Sequence, residues 1–188
     1  TPGLAGSVLA GTKLAELTLT APRARFWVSP DTPGIACNSC HTEENTNGRI
    51  VYQHENSPVK CQLCARGCLI ENGDRGECRT RINVGGELRS LVYGHPVSMH
   101  VDPIEKKPFY HFLPSSQAFS LATAGCPLHC RFCQNWELSQ MAPEDFETEF
   151  VAPEAIVQAG IARRTPIIAF TYNEPTVFTA VSYTHLTL

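Results

Sequence analysis

Cysteine spacing constrains this chain more than any other feature. Nine cysteines occupy 188 residues, and they fall in closely spaced groups. Complete disulfide pairing cannot use an odd number, and Cys-x-x-Cys pairs point to metal ligation instead. The densest group is "GCPLHCRFCQNW" at 125–136, where three and then two residues separate Cys126, Cys130 and Cys133. A tetrahedral structural zinc site asks for four ligands. Three thiolates on one short loop suit a [4Fe–4S] cube, in which one iron is left without a protein ligand and can take a substrate or cofactor.

The text around this loop reads as strand, loop, helix, strand. "AFSLATA" at 118–124 is a buried strand that runs into the cysteine loop. "APEAIVQAGIARR" at 152–164 predicts a helix, with Pro153 in its first turn and Ala155, Ile156, Ala159 and Ala162 on one face. "PIIAF" at 166–170 predicts a second buried strand. Such a βαβ unit implies a parallel sheet. A cluster on the loop would then lie outside the carboxyl ends of the strands, where α/β ligands bind.

The wider motifs carry a resemblance. "DPIEKKPFYHFLP" at 102–114, "ATAGCPLHCRFCQNWELSQ" at 122–140 and "FTYNEPTVF" at 170–178 resemble the AmmeMemoRadiSam-system radical S-adenosylmethionine enzymes, relatives of the pyruvate formate-lyase activating enzymes. The resemblance runs from about residue 60 to residue 178. It implies an α/β fold: the start of a partial (β/α)6 barrel of parallel strands, preceded by a small Cys-rich metal-stapled module. It also implies reductive cleavage of S-adenosylmethionine to methionine and a 5′-deoxyadenosyl radical, which abstracts hydrogen from a substrate. In such enzymes Cys126, Cys130 and Cys133 would ligate the [4Fe–4S] cluster, and Phe132 would lie against the adenine. Pro127 departs from the Asn usual just after the first cysteine, which alters the loop and not the ligands. "NEP" stands where the superfamily often has a Gly-Gly-Glu-Pro-like motif. Asn173, Glu174 and Pro175 would then contact the cofactor, Glu174 accepting from the methionine ammonium. The plainer reading is that Asn173 and Pro175 make a turn. Related activases act on protein partners, so a protein substrate and an electron donor are the partners the resemblance implies.

The remaining cysteines leave alternatives open. Cys61, Cys64, Cys68 and Cys78 can close a four-thiolate site for zinc or a second iron–sulfur cluster, and the resemblance includes this quartet. Cys37, Cys40, Cys61 and Cys64 could instead form a zinc ribbon, which strands Cys68 and Cys78. "CNSCH", Cys37 to His41, also fits the short c-type haem attachment pattern, or a loose metal site. "CLIENGDRGECRTRINVGGELRSLVYG" reads as short strands joined by turns at Gly73, Gly76, Gly85 and Gly86. In "DPIEKKP", Lys106 and Lys107 either sit in a solvated connection or line the mouth of a site or dock a partner.

These features divide the chain into a leader or linker at 1–35, a Cys-rich module at 36–100 and the first part of a barrel at 101–188. A six-unit barrel needs roughly 200 residues, by proportion from about 250 for eight units. Only 55 residues follow Cys133, and "VSYTHLTL" does not resemble the family. The expectation is a truncated, inactive fragment with a foreign tail. A net charge of −3 argues against a nucleic-acid surface, and no apolar run is long enough for a membrane span. The expected compartment is the cytoplasm, with "GLAGSVLAGTKLAELTL" as a remnant export signal the standing alternative. Two other functions compete: a non-catalytic iron–sulfur electron carrier and a zinc-stapled interaction module.

Overall fold

The structure, a computed structural model, describes residues 12–29 and 57–182 in full, and the strands at 41–44 and 50–53 by backbone alone. Cys37, Cys40, the start of the leader and residues 183–188 lie outside the described residues. The chain divides into two compact units between Leu91 and Val92.

Among its described residues the first unit contains α1 (Lys13–Thr20) and seven short strands: β1 (Trp27–Val28), β2 (His41–Glu44), β3 (Ile50–Gln53), β4 (Val59–Cys61), β5 (Leu69–Ile70), β6 (Arg81–Val84) and β7 (Glu87–Ser90). All of their pairings are antiparallel: β1–β4–β5, β2–β3 and β6–β7. The β6–β7 hairpin turns on Gly85 and Gly86, with φ of 62° and 86°. A two-residue hairpin turn of this hand needs positive φ at both positions, which only glycine adopts cheaply. Val59, Ile70 and Leu88 form one small core, and Leu17, Ile82 and Leu91 another. Asn83, next to Ile82, is fully buried and fully used. Its Nδ2 donates to Ser57 O at 2.8 Å and Ile70 O at 2.9 Å, and its Oδ1 accepts from Gly86 N at 2.9 Å. A buried amide with every group paired avoids the desolvation cost of an orphan.

The second unit is built on β8 (Ser98–Pro103), β9 (Gln117–Ala122) and β10 (Ile167–Phe170), with short helices α2 (Trp136–Ser139), α3 (Pro153–Ala162) and α4 (Thr179–Ser182). Central β9 pairs antiparallel with β8 and parallel with β10. Alternation along β9 sends Phe119 and Leu121 to one face, where they pack with Val92, Ile156, Phe178 and Val181. The opposite face carries small side chains, Ala118, Ser120 and Ala169, in register with Asp102 and His100 of β8.

The expected start of a (β/α)6 barrel of parallel strands is overturned. Among the described residues there are four short helices, small antiparallel sheets and one mixed three-stranded sheet, and no (β/α)6 barrel. The reason lies in the segment before β9. Residues 104–116 hold a single 3₁₀ turn and no α-helix, so β8 has no helical crossover of the kind that parallel pairing uses, and it returns antiparallel. The face of α3 also differs from the expected one. Pro153, Ile156 and Gly160 are buried and Ala159 packs on the core, whereas Ala155 and Ala162 face solvent. No helix is long and apolar enough to cross a membrane among the described residues.

Gly94 holds φ at 73°, and an added Cβ there would enter the ring of Phe150. Gly94→Ala should therefore destabilise the second unit by about 2–4 kcal/mol, summing left-handed backbone strain and overpacking. Gly73, at φ 89° with open space around it, supplies the control. Gly73→Ala should cost only the strain, about 1–2 kcal/mol, in urea titrations followed by circular dichroism.

Candidate metal and cofactor site

The three-cysteine loop leaves the carboxyl end of β9 through a buried root. Thr123, Ala124, Gly125, Cys126 and Pro127 are all buried, and Gly125 turns the chain at φ 81°. Beyond Pro127 the loop emerges: Cys130 is exposed and Cys133 half-buried. Cys133 N donates to Cys130 O at 3.2 Å, closing a tight turn. Phe132 is 87% exposed, so nothing in the second unit covers it.

Two segments hold the loop in place. The first is α2 and the residue after it. Gly125 N donates to Leu138 O at 2.9 Å, Gln140 Nε2 to Leu128 O at 2.9 Å, and Gln140 Oε1 lies 2.8 Å from His129 Nδ1. Buried Ser139 places its Oγ 3.3 Å from Cys133 Sγ. The second is the turn after β10. Asn173 Nδ2 donates to Gly125 O at 2.7 Å and Thr123 O at 2.8 Å. This makes Asn173 more than a turn residue: its carboxamide ties the root of the cysteine loop to the end of the neighbouring parallel strand. Glu174 caps the 3₁₀ turn opened by Pro175, its Oε1 accepting from Thr176 N at 3.1 Å and from the Thr176 hydroxyl. That carboxylate is thereby oriented and half-buried.

Tyr172, next to Asn173, holds φ at 73°, a strained value for a residue with a side chain. The strain aims its hydroxyl at Asp102, to which it donates. Asp102 also accepts from Lys107 Nζ at 2.6 Å and Lys106 Nζ at 2.9 Å. Burial alone would raise the Asp102 carboxyl. Hydrogen bonds from Lys107, Tyr172, Lys106 and Ser120 outweigh it and hold the group well below the usual carboxylate range. Lys107 lies 4.4 Å over the Tyr172 ring, and its side chain is only 7% exposed, so it is a buried charge and not part of a solvated connection. Sequence reasoning missed Asp102, Tyr172, Ser139 and Gln140, although all four stand inside the quoted motifs.

In the first unit the β4–β5 hairpin orders two members of the quartet by their backbone. Cys61 N donates to Cys68 O at 2.8 Å, so these two stand opposite each other just beyond the β4–β5 ladder, with Cys64 in the intervening turn. Burial pushes the Cys78 thiol up, Thr80 at 3.1 Å pulls it partly back, and the nearby Cys61 adds to the rise. The buried guanidinium of Arg81 donates to Cys61 Sγ at 2.9 Å. Arg79, which follows Cys78, buries its Nη1 with no hydrogen-bond partner among the described residues. None of the seven described cysteines is in a disulfide. Among the described residues no three or more His, Cys, Asp or Glu side chains are gathered into a cage for a metal ion. The donor chemistry of both loops nevertheless fits a thiolate-bound metal: free thiols at ligand spacing, with a guanidinium against one of them.

Two outcomes follow from this geometry. Cys126 should resist alkylation while Cys130 reacts at once. Asn173→Ala should expose Cys126, raising its labelling rate at least about tenfold by mass spectrometry, because the two lost hydrogen bonds are worth about 1 kcal/mol each. The Tyr172 hydroxyl is pushed up to about 12 from the ordinary 10.0 by burial and by its bond to Asp102. Folding thus favours its protonated form, a contribution that is whole below pH 10 and lost as pH rises toward 12. Thermal melts should show that loss in the native chain and a flatter profile over the same window in Tyr172→Phe.

Among curated proteins the chain is 43% identical over 129 residues to an uncharacterized protein of the archaeon Methanocaldococcus jannaschii. The match covers 69% of this chain and 39% of that relative, so the chain spans well under half of the relative's length. No family model matches the chain. No solved structure matches it.

Proposed function

We propose that this chain carries the cofactor-binding segment of a radical S-adenosylmethionine enzyme that acts by hydrogen abstraction. The observation that supports this reading is the convergence of two separate motifs. The turn of "FTYNEP" is hydrogen-bonded through Asn173 to the root of the Cys126–Cys130–Cys133 loop, 48 residues earlier. A turn-former with no further role would not need its amide on that particular loop. In this reading Cys126, Cys130 and Cys133 hold a [4Fe–4S] cluster, leaving one iron open for the amino and carboxylate groups of S-adenosylmethionine. When bound, these groups supply reductive cleavage of the carbon–sulfur bond to give methionine and a 5′-deoxyadenosyl radical.

The chain's own residues do the positioning. Buried Cys126 anchors the loop, and the Ser139 hydroxyl beside Cys133 Sγ provides a hydrogen bond of the kind that tunes a thiolate-bound metal. Glu174, oriented by Thr176, supplies a carboxylate for the methionine ammonium. Pro175 opens the turn that fixes Glu174, and Phe132 offers an uncovered ring to the adenine. Cys61, Cys64, Cys68 and Cys78 hold a zinc ion or a second iron–sulfur cluster. An electron donor and a protein substrate are the partners, met in a reducing compartment such as the cytoplasm, where thiols stay free.

Anaerobic reconstitution tests this reading. About four irons should load on the three-cysteine loop, with a spectrum that S-adenosylmethionine perturbs. Cys130→Ser should lose that centre, and Cys61→Ser with Cys64→Ser should keep it while losing the other metal. A colourless protein that binds only zinc would sink the proposal in favour of a zinc-stapled module. An iron centre indifferent to S-adenosylmethionine would favour an electron carrier.

A further inference from the structure

The second unit contains a cavity of about 480 Å³ between the 3₁₀ turn after β8 and strand β10. Its walls include Ile104, Phe109 and Phe112 on one side and Ile167 and Ala169 on the other, with Lys106 and Lys107 as the charged members. Among the described residues no carboxylate lines it. This size falls within the range of small-molecule sites, and the mix of apolar walls with a few polar groups is their usual composition.

The charge balance gives the ligand its sign. Asp102 stands behind the wall and binds both ammonium groups, one through each oxygen. One carboxylate against two lysines leaves a surplus positive charge in this cluster; the Glu105 carboxylate of the same turn is exposed and accepts from Ser115 N instead. The Tyr172 hydroxyl, which also reaches Asp102, adds no charge near neutral pH. Lys107 is fixed by Asp102 and by the Tyr172 ring, and its ammonium has donors to spare beyond the one that Asp102 takes. Lys106, with a side chain 61% exposed, is the accessible cation at the rim. Phe109 and Phe112, both 57% exposed, set ring centroids 6.4 Å apart at 67°, an edge-to-face pair that presents aromatic surface to a guest.

We propose that this cavity binds a small monoanion with an aromatic body, of the arylalkyl carboxylate class. The carboxylate meets the surplus charge of Lys106 and Lys107, and the ring lies against Phe109 and Phe112. This site stands whether or not the cysteine loop holds a cluster, because none of the described cysteines lines it.

Titration calorimetry of the purified full chain tests it, with indole-3-propionate and its neutral amide, indole-3-propionamide, as probes. The carboxylate should bind saturably at one site and the amide about tenfold more weakly, the scale of one charge-assisted hydrogen bond. Lys106→Met should erase that preference, and because Lys106 also donates to Asp102, a thermal melt of the variant is run beside it to show that it folds. Phe112→Ala should weaken both probes alike. The proposal is overturned if neither probe binds, if the amide binds as tightly as the carboxylate, or if both variants bind like the native chain.

Discussion

The carboxamide of Asn173 holds the second unit's chemistry in place. Strand β10 lies parallel to β9, and such pairs present their carboxyl ends side by side. The loops leaving those ends would diverge without a link. Asn173 supplies one by donating to the carbonyls of Thr123 and Gly125, both in the buried root of the cysteine loop. Buried carbonyls need donors, and the loop's irregular backbone offers few of its own. One amide therefore satisfies the loop root and sets the spacing between the two motifs.

The adjoining residue extends the same logic to charge. Tyr172 accepts a strained backbone so that its hydroxyl reaches Asp102 across the sheet face opposite the α3 core. That face carries small side chains from β9 and β10, which leaves room for Lys107 to lie inside. A buried lysine alone would be expensive; the carboxylate, a neighbouring hydroxyl and the ring beneath the ammonium offset much of that cost. The arrangement leaves two cations facing one anion, which is why the neighbouring cavity has a positive bias.

The first unit solves a different problem. Its apolar cores are small, a few side chains each, and its strands are two to four residues long. Polar groups take on structural work: Asn83 spans three chain segments, and the Arg81 guanidinium bonds Cys61 Sγ as well as the carbonyls of Arg25 and Phe26. Thin cores of this kind gain from a metal crosslink. The opposition of Cys61 and Cys68 follows from the β4–β5 ladder, so the hairpin itself sets two of the four cysteines opposite each other.

Much of this was legible locally. Thiol spacing, the Gly85–Gly86 turn, the helix opened by Pro153 and the apolar strands around 118–122 and 167–170 all follow from residues close in sequence, because ligand reach, backbone φ and side-chain period are local properties. Strand direction was not legible: nothing in "SMHVDP" says that β8 runs against β9, and that one reversal removes the expected all-parallel barrel start. Nor could the buried face of α3 be assigned, since alanine-rich turns fit either side and the sheet chose. Lys107 looks like any surface lysine until Tyr172, 70 residues from Asp102, is folded over it. The sequence by itself determined which atoms can ligate and where the chain can turn. Only the tertiary structure decided which carboxylate meets which lysine and which amide clamps the loop, because those contacts depend on register and direction between distant strands, and no local pattern carries that information.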